Sequence, residues 1–135
     1  MLAEKKYILV TGATSGIGEA TARLLIDNGY CVVATARNKE NLANLFGDNK
    51  NVIIIPYDLS DPDGIDDYVR EVTQRAPAIS GLVHCAGVDM LSPIHMSKTS
   101  DINRIFNINT FAAIKLIAGF SKKGRFTKPA SFILI

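Results

Sequence analysis

The chain has 135 residues, 47% apolar and 21% charged, with a formal net charge of +2. That composition can bury a core and excludes a disordered tail. The balance of 15 basic against 13 acidic residues offers nothing to recruit nucleic acid or an anionic membrane.

Short apolar runs alternate with segments of helical period. Residues 7–11 read as a first strand ending at Gly12. Ile17, Ala20, Thr21, Leu24 and Leu25 then fall on the i, i+3, i+4, i+7, i+8 stripe of a half-buried helix, with Gly29 as its stop. Residues 31–36 form a second strand, and Asn38 caps a short helix to Phe46 with Leu42 and Leu45 facing in. Residues 52–57 form a third strand. Asp61-Pro62 starts the next helix, whose inner stripe is Ile65, Tyr68, Val69 and Val72. A fourth strand spans 82–86 and a loop spans 87–98. One long helix runs from about 99 to 118, with Ile102, Ile105, Phe106, Ala113, Leu116 and Ile117 inward. A fifth strand occupies 131–135, preceded by a solvated basic loop of Lys122, Lys123, Arg125 and Lys128.

Strands alternating with helices imply a doubly wound parallel sheet in three α/β/α layers. The strands are continuous apolar runs, as expected when both faces are covered. No repeat or linker divides residues 1–135, so a single domain is expected. Cys31 and Cys85 lie in apolar runs and are expected as buried free thiols. No long apolar stretch follows the amino-terminal residues 1–6. Neither signal peptide nor membrane span is expected, and a cytoplasmic location follows.

The most informative segment is Thr11-Gly12-Ala13-Thr14-Ser15-Gly16-Ile17-Gly18, between the first strand and the first helix. Gly12 permits a tight turn. Gly16 and Gly18 remove Cβ atoms where the backbone must approach a diphosphate and where helix must lie against sheet. Free N–H groups at the helix start suit phosphate. The segment lacks the Gly-Lys-Ser/Thr ending of an ATP or GTP phosphate loop. Asp58 and Leu59 follow the third strand, at a strand end where ligands bind in such sheets. Ala86 and Gly87 leave room beside the fourth. His84 and Cys85 point to opposite faces and are not expected to share a metal; His84 is expected as a hydrogen-bonded core residue. No acid stands at Thr35, Ala36, Arg37 or Asn38, whereas Arg37 offers a guanidinium to a ribose 2′-phosphate.

In these motifs and their order the chain resembles the short-chain dehydrogenase/reductase family, single-domain type. Thr11 to Gly18 matches its T-G-x3-G-I-G turn, and Asp58-Leu59 its adenine-contacting segment. His84-Cys85-Ala86-Gly87 is similar to its Asn-Asn-Ala-Gly, whose first asparagine braces sheet and turn. Phe106-Asn107-Ile108-Asn109 matches the helix carrying its active-site asparagine. The resemblance implies a Rossmann-like sheet of order 3-2-1-4-5 and hydride transfer between a nicotinamide and a carbonyl or alcohol. It implies cofactor contacts at Gly12, Thr14, Ser15, Gly16, Ile17, Gly18, Arg37, Asp58, Leu59, Ala86 and Gly87. Asn109 would open its helix locally and position a water in a proton relay. With Arg37, NADP(H) is expected over NAD(H).

The resemblance also implies a serine past strand five and a tyrosine four residues before a lysine. The residues four beyond Tyr7, Tyr30, Tyr57 and Tyr68 are Thr11, Ala34, Asp61 and Val72. The chain is therefore expected to be the cofactor-binding half of a reductase, cut after strand five, incompetent alone, and self-associating through strand five and bare sheet faces. The alternative is a non-catalytic dinucleotide-binding or interaction module. A sugar-nucleotide epimerase or dehydratase fits less well, because those relatives carry a T-G-x2-G-x2-G turn.

Overall fold

The computed structural model describes residues 4–135. Residues 1–3, the start of the amino-terminal segment read above, lie outside the described residues. Among those described, no helix is long and apolar enough to cross a membrane.

Five strands form a parallel sheet in the order β3-β2-β1-β4-β5. They are β1 (Tyr7–Thr11), β2 (Cys31–Thr35), β3 (Val52–Ile54), β4 (Ile79–His84) and β5 (Phe126–Leu134). Helices α1 (Gly16–Asp27) and α2 (Lys39–Phe46) cover one face, and α3 (Ile65–Arg75) covers the other. The predicted long helix is α4 (Thr99–Phe106) and α5 (Ala112–Phe120), joined by a π-turn at Asn107–Phe111. The two-residue period of a strand sorts the core. Leu9, Val33 and Leu82 meet Val69, Val72, Leu116 and Phe120. Ile8, Val10, Val32 and Val83 meet Ala22, Leu42 and Phe46.

Several boundaries differ from the sequence reading. β3 stops at Ile54, although Ile55 and Tyr57 still donate backbone hydrogen bonds to Ala34 and Ala36. β4 begins at Ile79 and ends at His84, not 82–86. β5 begins at Phe126 and so takes in Lys128. Its Pro129 is tolerated because β5 is the edge of the sheet. Arg125 is not merely solvated either: its guanidinium donates to the Gly119 carbonyl near the end of α5 at 3.0 Å. α3 begins at Ile65, because the Asp61 carboxylate binds the Gly64 N–H and shapes a turn ahead of the helix.

Two helix faces are also turned from expectation. In α1 the inward positions are Gly18, Ala22, Leu25 and Ile26, while Ile17 and Leu24 are 59% and 65% exposed. A Cβ on Gly18 would overlap the Gly12 carbonyl oxygen, so this residue must face the sheet and it sets the helix's rotation. In the long helix, Ile102 and Phe106 are exposed, whereas in α5 Ala113 and Leu116 are buried and Ile117 packs against the core as expected, together with Ala112 and Phe120. The extra residue of a π-turn shifts the inward face by about 100°, which a constant 3.6-residue period cannot anticipate. Asn38 does cap α2, accepting from the Asn41 N–H at 3.0 Å. Gly29 ends α1 with a φ of 84°.

Candidate functional site

The carboxyl ends of β1, β2, β3 and β4 open onto one cavity of about 370 Å3. The chain crosses between faces of the sheet beside β1, and ligands bind at such a switch point. All eleven expected cofactor residues line this space: Gly12, Thr14, Ser15, Gly16, Ile17, Gly18, Arg37, Asp58, Leu59, Ala86 and Gly87.

The glycine turn forms the floor. Gly12 has a φ of 65°, and a Cβ there would lie 2.9 Å from the Ala86 nitrogen. β1 and β4 can therefore converge only at a residue without a side chain. Gly16 has a φ of 52°, and a Cβ there would meet nothing within 4 Å. Its missing side chain leaves open space above the first turn of α1. Ser15 precedes α1 with no side-chain cap, so the N–H groups of that turn remain available to a ligand.

Charge gathers at one end of the cavity. Burial, the largest influence on the Asp58 carboxyl, pushes its pKa up. The hydrogen bonds from Ser60 and the charges of Arg37 and Arg104 together outweigh burial and hold it below the ordinary value. One carboxylate oxygen, Oδ1, accepts the Ser60 N–H at 2.9 Å. Asp58 is therefore both a turn aspartate and an anionic acceptor at the cavity wall. Arg37 is exposed at the rim. Tyr57 lines the same end. Burial and three nearby aspartates raise its phenol to about 12, and its hydroxyl donates to the Asp61 carbonyl at 2.7 Å.

The far wall is tied to the π-turn. Asn107 Nδ2 donates to the Ser60 carbonyl at 3.2 Å, which fixes the loop after β3. Asn109 makes two bonds of 2.8 Å with Val88, accepting its N–H and donating to its carbonyl. His84, 2% exposed, contacts Thr11 Oγ1 at 2.9 Å and the Ile108 carbonyl at 3.2 Å.

The model of the short chain dehydrogenase family matches residues 6–128. The chain belongs to that family. A fatty acyl-CoA reductase of Mycobacterium tuberculosis is 34% identical over 122 residues, covering 86% of this chain and 42% of the relative. A short-chain dehydrogenase from Streptomyces avermitilis superposes with a TM-score of 0.82 at 28% identity, covering 88% of this chain and 44% of that one. NADPH-bound carbonyl reductase from chicken fatty liver superposes with a TM-score of 0.75 at 26% identity, covering 87% and 51%. The chain thus spans about half, or less, of the length of the relatives it matches.

For a short chain dehydrogenase, the helix opens at Asn109, as a π-turn. Asn109 is exposed, and its amide oxygen and nitrogen each make one bond to Val88. One local feature departs from the expectations above. Cys85 is only half-buried and lines the cavity, while Cys31 is buried; both are free thiols. Sequence reasoning missed Ala36, Asn38, Asn41, Tyr57, Val88 and Ile108, which also line the cavity. Ala36, Asn38 and Tyr57 lie just past β2 and β3, a signal available in the strand pattern. Ile108 reaches the cavity through long-range packing, although it stands inside the Phe106-Asn107-Ile108-Asn109 segment matched above.

Proposed function

We propose that this chain is the cofactor-binding part of an NADP(H)-dependent oxidoreductase that moves hydride between nicotinamide and a carbonyl or alcohol carbon. The observation that carries the reading is the convergence of the glycine turn, Arg37, Asp58 and Ala86-Gly87 on one cavity. The residues fit the cofactor. The space above Gly16 is one a side chain would fill, and the uncapped first turn of α1 offers N–H donors to a diphosphate. When bound, the nicotinamide supplies or accepts the hydride.

The chain's own residues bind and orient. Backbone amides between Thr14 and Gly18 hold the diphosphate. The Asp58 carboxylate accepts from the adenine amino group, beside the buried Leu59. Ala86 and Gly87 admit the ribose, and Asn109 clamps Val88 in the wall beside it. Arg37 pairs with a 2′-phosphate through a planar fork of donors. NADPH in the related carbonyl reductase supports this cofactor choice, and the reductases among the relatives support a carbonyl substrate. No tyrosine among the 135 residues has a lysine four positions on, so binding without turnover is expected of this chain by itself.

Titration with NADPH and NADH tests the reading. The native chain should prefer NADPH. Arg37→Ala should weaken NADPH by roughly 10- to 100-fold, the size of a lost charge-assisted contact, and leave NADH nearly unchanged. Equal affinities, indifferent to that substitution, would remove the NADP(H) assignment. A chain that binds neither nucleotide would sink the whole reading.

A further inference from the structure

We propose that His84 is a positioning residue that fastens the glycine turn to the π-turn, so that the two walls of the cavity move as one unit. In a regular α-helix the Ile108 carbonyl would accept from the Ala112 N–H. Here Ala112 donates to the Asn107 carbonyl instead. The wider turn thereby releases the Ile108 oxygen from its regular partner, and His84 Nε2 meets it at 3.2 Å.

That contact dictates the direction of every other bond. A carbonyl only accepts, so Nε2 carries the hydrogen. Burial disfavours the charged ring, and in the neutral ring Nδ1 is then an acceptor. The Thr11 hydroxyl, 2.9 Å away, therefore donates to Nδ1. Its oxygen is left to accept the Ala86 N–H at 3.2 Å. One polarised chain runs from Ala86 N–H through Thr11 Oγ1–H and His84 Nε2–H to the Ile108 carbonyl. Its first member borders the cavity beside Gly12, and its last is adjacent to Asn109. Asn109 in turn holds Val88. The imidazole spans a gap that a single hydroxyl or carboxamide cannot, because its two nitrogens bond in opposite directions.

The link to nucleotide rests on the function proposed above; the link between walls does not. Imidazole ¹⁵N NMR on the cofactor-free chain should show the neutral Nε2–H tautomer. Two variants then cut the chain at opposite ends. In His84→Asn, the amide oxygen stands near Nδ1 and keeps Thr11. Amide exchange around Ile108 and Asn109 should then rise about fivefold, that of one lost hydrogen bond, with Ala86 unchanged. In His84→Gln, the amide nitrogen stands near Nε2 and keeps Ile108, so the rise should appear at Ala86 instead. Adding NADPH should shift the Asn109 amide signal in the native chain and lose that effect in both variants. A ring protonated at Nδ1, or variants that loosen the whole fold uniformly, would overturn the proposal. If NADPH fails to bind the native chain, only the functional reading falls; tautomer and exchange still judge His84.

Discussion

Single side chains at the strand ends do two kinds of work. Gly12 and Gly18 act by lacking a Cβ where backbones converge, whereas Thr11, Thr35 and His84 are buried polar groups that have found partners. Thr35 donates to the Ile55 carbonyl at 2.9 Å and shares a 2.5 Å bond with the Tyr68 hydroxyl. Such pairing is what makes a polar core tolerable. His84 carries a pH signature. Burial lowers its pKa from 6.5, against a smaller opposing effect of the Ile108 carbonyl. The unfolded chain therefore takes up a proton that the fold refuses. Stability is full above pH 6.5 and falls as pH drops through the depressed folded value. Asp58, lowered from 3.8, adds its own loss only at more acid pH. Melting temperature should thus decline in mildly acid buffer, and His84→Asn should flatten that decline. An unchanged slope in the variant would assign it to another group.

At the level of elements, the close approach of α3 and α5 depends on Gly119. A Cβ there would stand 2.8 Å from Val69 Cγ2, and valine has little freedom to yield. Gly119→Ala gains about 1 kcal/mol of helix propensity. It loses about 1–3 kcal/mol to overpacking, so the net effect should be destabilising. Denaturant unfolding should show this, and adding Val69→Ala should recover the helix-propensity gain in part. A stabilised single variant would mean that the helices separate freely. The same region marks the limit of pattern reading. Ile65, Tyr68, Val69 and Val72 of α3 were legible because one period runs unbroken through them. Ile102 and Phe106 were misplaced because the π-turn resets the phase.

For the molecule as a whole, β5 is the exposed margin. Among the described residues it pairs only with β4, and Ile133, Leu134 and Ile135 are 50%, 53% and 65% exposed. An apolar edge with unpaired backbone groups recruits another strand. This chain should self-associate with rising concentration in sedimentation velocity, and Ile133→Lys should shift it toward monomer. A native chain that stays monomeric at every concentration would end that expectation.

The sequence by itself determined the alternation of strand and helix, the glycine turn and the family. These depend on local period and on residues adjacent in the chain, where sterics act directly. Tertiary structure decided the rest. Only contact with the Gly12 carbonyl rotates α1 to place Gly18 inward. Only packing across 24 residues brings the Ile108 carbonyl to His84. Asn109 found its partner 21 residues away in Val88, a pairing that no local period encodes.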